Sequence, residues 1–377
     1  MKERINLKRL VFLLLSCLIL TSCASPSTNI IDVDTDNVNL GISVGDENNI
    51  SDTDILIENN DDIIDIPTTD TNTPEDSESE DIESPETSGD ILEPETPETP
   101  DLFQLNIGDM ALSGREVILY GDFSDGLKEE LESIMDSYDK NISVAVYFLD
   151  KTKGLIYNGN QEYFSACTIK APWMLYLCKE IDDGNIDKNT IITYEEKHYH
   201  DGSGTIRKGS YGDQYTIEQL INLCLSISDN VAYEMLVQEV IDRNDFYEFL
   251  NSLNLNRLYI PTWSLWSSNS IPTDYLIIWE AIYHYFETNT DGAQILKKAC
   301  TNTKWNYGSA TVTNFDYSHK SGDNWAPNAA HNDAGIIWAD IPYLYAIFTN
   351  SEGNDYDEKV IDEVMTLIHQ EFQKTNK

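Results

Sequence analysis

Cys167 stands three residues before Lys170 in the run Phe164-Ser165-Ala166-Cys167-Thr168-Ile169-Lys170. Positions i and i+3 of a helix share a face, so this spacing brings a sulfur and an ammonium together near a helix N-terminus. A thiol in that setting has a depressed pKa. The expected resting state is a thiolate–ammonium pair, which holds a stronger nucleophile than an alcohol. Ser165 cannot take its place, because it lies five residues from Lys170 and off that face. Two polar triplets follow: Ser228-Asp229-Asn230 and Lys320-Ser321-Gly322. Each alone has a structural explanation. The first element could be a buried cysteine in an apolar helix with a surface lysine, the second a helix cap, and the third a turn.

The pattern of elements around them is mixed. Residues 125–138 have helical spacing, with Leu127, Leu131, Ile134 and Met135 on one face. Residues 142–149 alternate like a strand, 150–154 form a turn, and 155–157 continue as a hairpin partner. Residues 167–181 predict a buried apolar helix. Helices are also expected over 216–226, where Thr216 with Gln219 has the capping-box offset, and over 232–241. Strand signals return at 315–319, directly before Lys320-Ser321-Gly322, then at 335–339 and 343–349. An amphipathic helix over 357–374 closes the chain. Strands at both ends with helices between imply an α+β fold. Its expected form is an antiparallel five-stranded sheet with flanking helices, built from both ends of the domain, and an inserted all-helical lobe.

Taken together and in this order, the Cys167–Lys170 motif and the two triplets resemble those of the penicillin-recognising serine hydrolases, most closely the class A β-lactamase-like group. Asp201-Gly202-Ser203-Gly204-Thr205-Ile206 and His331-Asn332-Asp333-Ala334-Gly335 are weaker echoes of the same family. The resemblance implies roles position by position. Cys167 sits where the acylating serine belongs, and Lys170 where a lysine helps activate it. Ser228 matches the hydroxyl that relays a proton to the leaving nitrogen. Asn230 matches the amide that holds the substrate side chain. Lys320 and Ser321, with Gly322, match the strand that binds the substrate carboxylate. The backbone N–H groups of Cys167 and Asp323 would form the oxyanion hole. A cation with hydroxyls suits an anionic β-lactam or the D-Ala-D-Ala end of a peptidoglycan stem peptide.

The sequence departs from the family twice. Sulfur replaces the nucleophilic oxygen, and its longer bond displaces the acyl carbon from an oxyanion hole built for oxygen; a misplacement of about 1 Å can cost about 100-fold in rate. The loop that carries the deacylating glutamate in class A enzymes corresponds to residues 251–273, which contain no Asp or Glu. Water attack on an acyl-enzyme should then be slow, although a thioester is intrinsically more reactive than an ester, above all toward amines. Two readings follow: an acyl-enzyme hydrolase or transferase working through Cys167, and an impaired module that binds or senses β-lactams or peptidoglycan.

The N-terminus speaks to location. Lys2, Arg4, Lys8 and Arg9 precede an apolar run over 10–20 that is too short to span a bilayer. Leu20-Thr21-Ser22-Cys23 resembles a bacterial lipobox, with Cys23 lipidated, against the simpler reading of an ordinary cleaved signal. The expected plan is a lipoprotein signal over 1–22, a lipid-anchored disordered linker over 23–104, and a catalytic domain over 105–377. Residues 24–100 hold 23 Asp and Glu, no Lys or Arg, and repeats of Pro-Glu-Thr, a composition that stays extended. With the leader's +3 and that stretch's −23 set aside, the total of −42 leaves −22 on residues 101–377. Such acidity argues against a nucleic-acid partner. The expected ligands are β-lactam or stem peptide, with the bilayer reached through the lipid anchor, a monomer and no cofactor.

Cys178, Cys224 and Cys300 read as buried free thiols, although export permits disulfides. His198 and His200 lack the partners of a metal site. His319 should face away from Lys320 by strand alternation. Trp325 is expected to line the cleft beside the third motif; Trp263 and Trp266 divide between cleft lining and loop packing.

Overall fold

A computed structural model describes residues 114–374, apart from 262–265, 267, 302, 310, 311 and 313. The leader, Cys23, the acidic stretch and Trp263 lie outside the described residues. Among those described, no helix is long and apolar enough to cross a membrane.

The chain opens with strand β1 (Val117–Tyr120), helix α1 (Leu127–Ser137) and the hairpin β2 (Ile142–Phe148) and β3 (Gly154–Tyr157). A short β4 (Tyr163–Phe164) leads through a 3-10 turn (Ala166–Ile169) into α2 (Lys170–Asp182). The helical lobe follows: a small ribbon of β5 (Ile191–Thr193) and β6 (Gln214–Thr216), then α3 (Ile217–Ser226), α4 (Asn230–Glu239) and α5 (Arg243–Ser252). β7 (Asn269–Ser270) pairs with β4. Helices α6 (Pro272–Glu287) and α7 (Asp291–Cys300) return to the sheet, completed by β8 (Tyr317–Asn324), β9 (Ala330–Ile337), β10 (Tyr343–Thr349) and α8 (Asp355–Lys374).

The main sheet is antiparallel with order β1-β3-β2-β10-β9-β8. It has six strands rather than the expected five. β1 was missed because its four residues are flanked by charge and alternate only weakly in burial. The expected closure by both ends of the domain holds: β2 pairs with β10 from Ile142↔Thr349 to Phe148↔Tyr343.

Alternation divides the core into two. Val144, Val146 and Phe148 with Tyr343, Tyr345 and Ile347 point to one face, under α1 and α8. Ala145 and Tyr147 with Leu344, Ala346 and Phe348 point to the other, against α6 and the helical lobe. Helix α2 runs through that second core, with every residue from Lys170 to Cys178 buried. Trp173 stacks on Phe246 of α5 at a centroid distance of 3.4 Å. Burying an aromatic side chain of this kind contributes about 1.5–3 kcal/mol.

The Thr216 cap is present, with both hydrogen bonds to Gln219 in place. Two sequence expectations need correction. Cys167 is not in the α-helix but in the 3-10 turn before it, because the chain must bend sharply on leaving β4. Lys320-Ser321-Gly322 does not follow a strand but lies inside one, β8; polar residues occupy this edge strand where it faces the 3-10 turn at Ala166–Ile169, which hid its strand character.

Candidate active site

Strand β4 and helix α2 are joined at Ala166, whose φ is 48°. For a residue with a Cβ this region costs about 1–2 kcal/mol. The turn is held by Thr168, whose Oγ1 lies 2.6 Å from the Ser165 carbonyl oxygen and 2.7 Å from the Tyr275 hydroxyl. Ser165 is buried, with its Oγ 3.1 Å from that of Ser270. This leaves the half-buried Cys167 at the head of α2.

The second motif arrives between α3 and α4. Ser228 also has positive φ, 55°, and Asp229 caps α4 by accepting from the backbone N–H groups of Val231 and Ala232. The other oxygen of Asp229 accepts from Thr205 and Ile206 at 2.6 and 3.0 Å. Four N–H donors therefore compensate one buried carboxylate. The packing leaves no room for a side chain at Gly204: a Cβ there would sit 2.2 Å from Asp229 Cγ. The 201–206 segment is thus the clamp that sets Ser228 and Asn230, and Asn230 Nδ2 donates to the Asp201 carbonyl at 2.8 Å.

Lys170 joins the first two motifs. Its ammonium is fully buried and donates to the Ser228 carbonyl at 2.8 Å, to Asn230 Oδ1 at 2.8 Å and toward Ser228 Oγ at 3.3 Å. The rings of Trp266 and Tyr233 lie 5.4 and 5.8 Å from Nζ, within cation–π range. Cys167 Sγ is 3.8 Å from Asn230 Oδ1. Burial pushes the Cys167 thiol up, but the charges of Lys170 and Lys320 and a hydrogen bond with Ser228 outweigh it and hold the thiol below its ordinary value.

The third motif approaches along edge strand β8. A Cβ at Gly322 would lie 2.8 Å from the backbone nitrogens of Cys167 and Thr168, so only glycine lets the strand come this close. Lys320 is buried and donates to the Ser321 carbonyl at 2.7 Å. Burial lowers its pKa to about 8, with the Lys170 charge adding to the fall and the Cys167 thiolate opposing it. Ser321 Oγ donates to the Trp305 carbonyl at 2.9 Å. Asp323 turns its carboxylate to His331 Nδ1 at 2.6 Å and to the Tyr307 hydroxyl.

The structure therefore brings Cys167, Lys170, Ser228, Asn230, Lys320, Ser321 and Gly322 to one place, with the backbone of Asp323 beside Gly322. Other residues fall elsewhere. His319 faces away from Lys320 in a buried pair with Asp333, and its Nε2 meets Thr303 Oγ1, both at 2.7 Å. His198 is buried against Glu239. Cys178, Cys224 and Cys300 are free and buried, and burial raises the pKa of each. Trp325 is 74% exposed and does not line a closed cleft; it sits at the sheet edge just past β8. Asn332 explains its echo: Nδ2 donates to the Phe164 carbonyl at 2.8 Å, tying β9 to the strand before the nucleophile.

Three residues of the site were not found from sequence. Tyr233 and Glu234 follow Asn230 by three and four residues, so helical spacing places them on its face. His200 Nδ1 lies 3.4 Å from Asn230 Nδ2. Trp266 is decided as a site residue rather than loop packing. The segment 251–273 has no acid, and the first one after it, Asp274, is occupied: it is buried and accepts from the N–H groups of Asn256, Arg257 and Leu258.

The family model described as "Beta-lactamase enzyme family" matches residues 126–372. The chain belongs to this β-lactamase family. The match takes in all three motifs and every strand of the main sheet except β1. Among curated relatives, the extended-spectrum β-lactamase PER-1 of Pseudomonas aeruginosa is 24% identical over 274 residues, covering 65% of this chain and 86% of its own. β-Lactamase VEB-1 of the same organism is 23% identical over 278 residues, covering 65% and 89%. Among solved structures, PBP-A superposes with a TM-score of 0.60 at 20% identity, covering 68% of this chain and 98% of its own. The TLA-1 extended-spectrum β-lactamase gives 0.58 at 19%, covering 66% and 98%. These superpositions show the class A β-lactamase-like fold.

Proposed function

We propose that this chain is an acyl-transfer enzyme of the cell envelope that opens β-lactams, or cleaves D-Ala-D-Ala peptides, through a thioester on Cys167. The observation that carries the reading is Lys170. Its ammonium is buried and bonded to both Ser228 and Asn230, and its charge helps hold the adjacent thiol below its ordinary pKa.

The bond changes balance without an outside base. The Cys167 thiolate attacks the carbonyl carbon and the C–N bond breaks. Lys170 passes a proton through Ser228 Oγ to the leaving nitrogen and becomes a neutral amine. That amine can still donate to the Ser228 and Asn230 oxygens while its lone pair faces Ser228 Oγ. In the second half the incoming nucleophile loses a proton along the same path, the C–S bond breaks, and thiolate and ammonium are restored. The N–H groups of Cys167 and Asp323 would stabilise the oxyanion. Lys320 and Ser321 would hold the substrate carboxylate, and Asn230 its side-chain amide. Deacylation by water is slow in this account, since residues 251–273 offer no carboxylate to activate it.

Cys23 as a lipid anchor and residues 24–100 as a spacer would place a monomeric domain outside the cell membrane. That PBP-A has a variant in an acyl-enzyme complex with penicillin G supports penicillin as the probe. Incubation with penicillin G followed by intact-mass analysis should show one adduct on the wild-type chain and none on Cys167→Ala. No adduct on wild type, under conditions where Cys167→Ser forms one, would overturn the reading. A second reading, a ligand-sensing module, is favoured by the aromatic walls beside Lys170 where an acid would speed release. It predicts penicillin binding that Cys167→Ala leaves intact.

A further inference from the structure

We propose that Trp266, pinned by Glu234, is the positioning residue that keeps water from the Cys167 acyl-thioester and directs its release to a primary amine. The inference rests on the thioester reading above and adds what decides the fate of the acyl group.

Trp266 is fixed on three sides. Its indole N–H donates to Glu234 Oε1 at 2.5 Å. Its ring packs on His200 at 4.3 Å and meets Tyr233 edge-on at 4.8 Å. The Glu234 carboxylate is itself held, because Gln238 Nε2 donates to its other oxygen at 2.6 Å. A buried carboxylate whose two oxygens each accept a side-chain donor is committed to positioning. What it positions is an indole face 5.4 Å from the Lys170 ammonium, with His200 continuing the wall to Asn230.

The consequence is chemical. A hydrolytic water needs a base within hydrogen-bond reach. Lys170, neutral after acylation, can take a proton only by way of Ser228; the space beside its amine is covered by two π faces, and the Glu234 carboxylate behind them is tied to the indole. Excluding water in this way protects a reactive intermediate from hydrolysis. A primary amine needs less help, being a strong nucleophile toward a thioester. Its nitrogen attacks the acyl carbon, the C–S bond breaks, and its proton passes through Ser228 to Lys170.

The test measures partition rather than rate. Wild-type chain is acylated with penicillin G, freed of excess drug, and divided between buffer and buffer with glycinamide. Mass spectrometry then counts released acid against released amide. Wild type should give mostly amide. Trp266→Ala should lower the amide-to-acid ratio by about tenfold, as expected where water gains access to a reactive intermediate. Glu234→Gln, whose amide oxygen still accepts the indole N–H, should keep the wild-type ratio, whereas Glu234→Leu should follow Trp266→Ala. Should Trp266→Ala fail to fold, Glu234→Leu against Glu234→Gln decides the matter with the indole retained. An unchanged ratio in Trp266→Ala or Glu234→Leu overturns this inference alone. No adduct on wild type overturns the thioester reading and this inference with it.

Discussion

Lys170 and Lys320 both carry their ammonium groups out of water, being 0% and 2% exposed, but the helical junction and the edge strand treat them differently. At the junction of α2 and α4, Lys170 has three oxygen acceptors and two aromatic faces. On β8, Lys320 has one oxygen acceptor among the described residues, the carbonyl of Ser321, and its pKa falls to about 8. A buried cation with its bonds complete is fixed in position, its proton aimed along those bonds. One with a single bond is under-compensated until an anion arrives. The difference separates the charge that prepares the nucleophile from the charge that waits for the substrate carboxylate.

Breaking the first charge should have the largest effect. Lys170→Met removes both the thiolate's partner and the proton carrier, and acylation by penicillin G should fall about 1,000-fold by stopped-flow or quenched mass analysis. The same change takes the donor from three oxygen acceptors, and urea unfolding should report a loss of about 1–3 kcal/mol.

The second charge gives a different result. Lys320→Met should weaken an anionic ligand about tenfold to 100-fold, the worth of a charged hydrogen bond, yet raise stability by about 1–3 kcal/mol by removing an under-compensated buried charge. The sign of its pH dependence follows. Lys320 moves from 10.5 down to about 8 on folding, so between those values the unfolded chain binds more protons and stability rises with pH. The stability gap between Lys320→Met and wild type should be full below pH 8 and shrink up to pH 10.5. Acylation kcat/KM should be bell-shaped, rising as the thiol ionises below its ordinary 9.0 and falling as Lys320 deprotonates near 8. The falling limb should vanish in Lys320→Met.

Much of this site was legible in the sequence. Cys167 and Lys170 are neighbours as their spacing indicated, Ser228, Asn230 and the Lys320 strand join them as the family resemblance implied, and β10 runs over Tyr343–Thr349 as alternation indicated. What was not legible depends on contacts between distant segments. Nothing near Trp266 signals that its indole would reach Glu234 and cover Lys170. The 3-10 geometry at Cys167 follows from Ala166 adopting a positive φ that its side chain disfavours, which tertiary packing imposes. Asp229 looked like a cap and is one, but its other oxygen holds the 201–206 segment, a pairing across the chain that no local pattern encodes.

That double duty yields the smallest predicted effect. Asp229→Asn keeps the shape of the side chain but turns one of its two acceptor oxygens into an NH2 group, which cannot accept, so two of the four N–H groups lose their partner. It should cost about 1–2 kcal/mol by thermal or urea unfolding, with acylation slowed less than in Lys170→Met.

The claim that a built-in ammonium holds Cys167 as a thiolate is tested most directly by its alkylation with iodoacetamide across pH, followed by peptide mass analysis. Wild type should titrate below 9.0, the ordinary thiol value, and Lys170→Met clearly above wild type. Equal midpoints in the two proteins, or a wild-type midpoint at or above 9.0, would contradict the account.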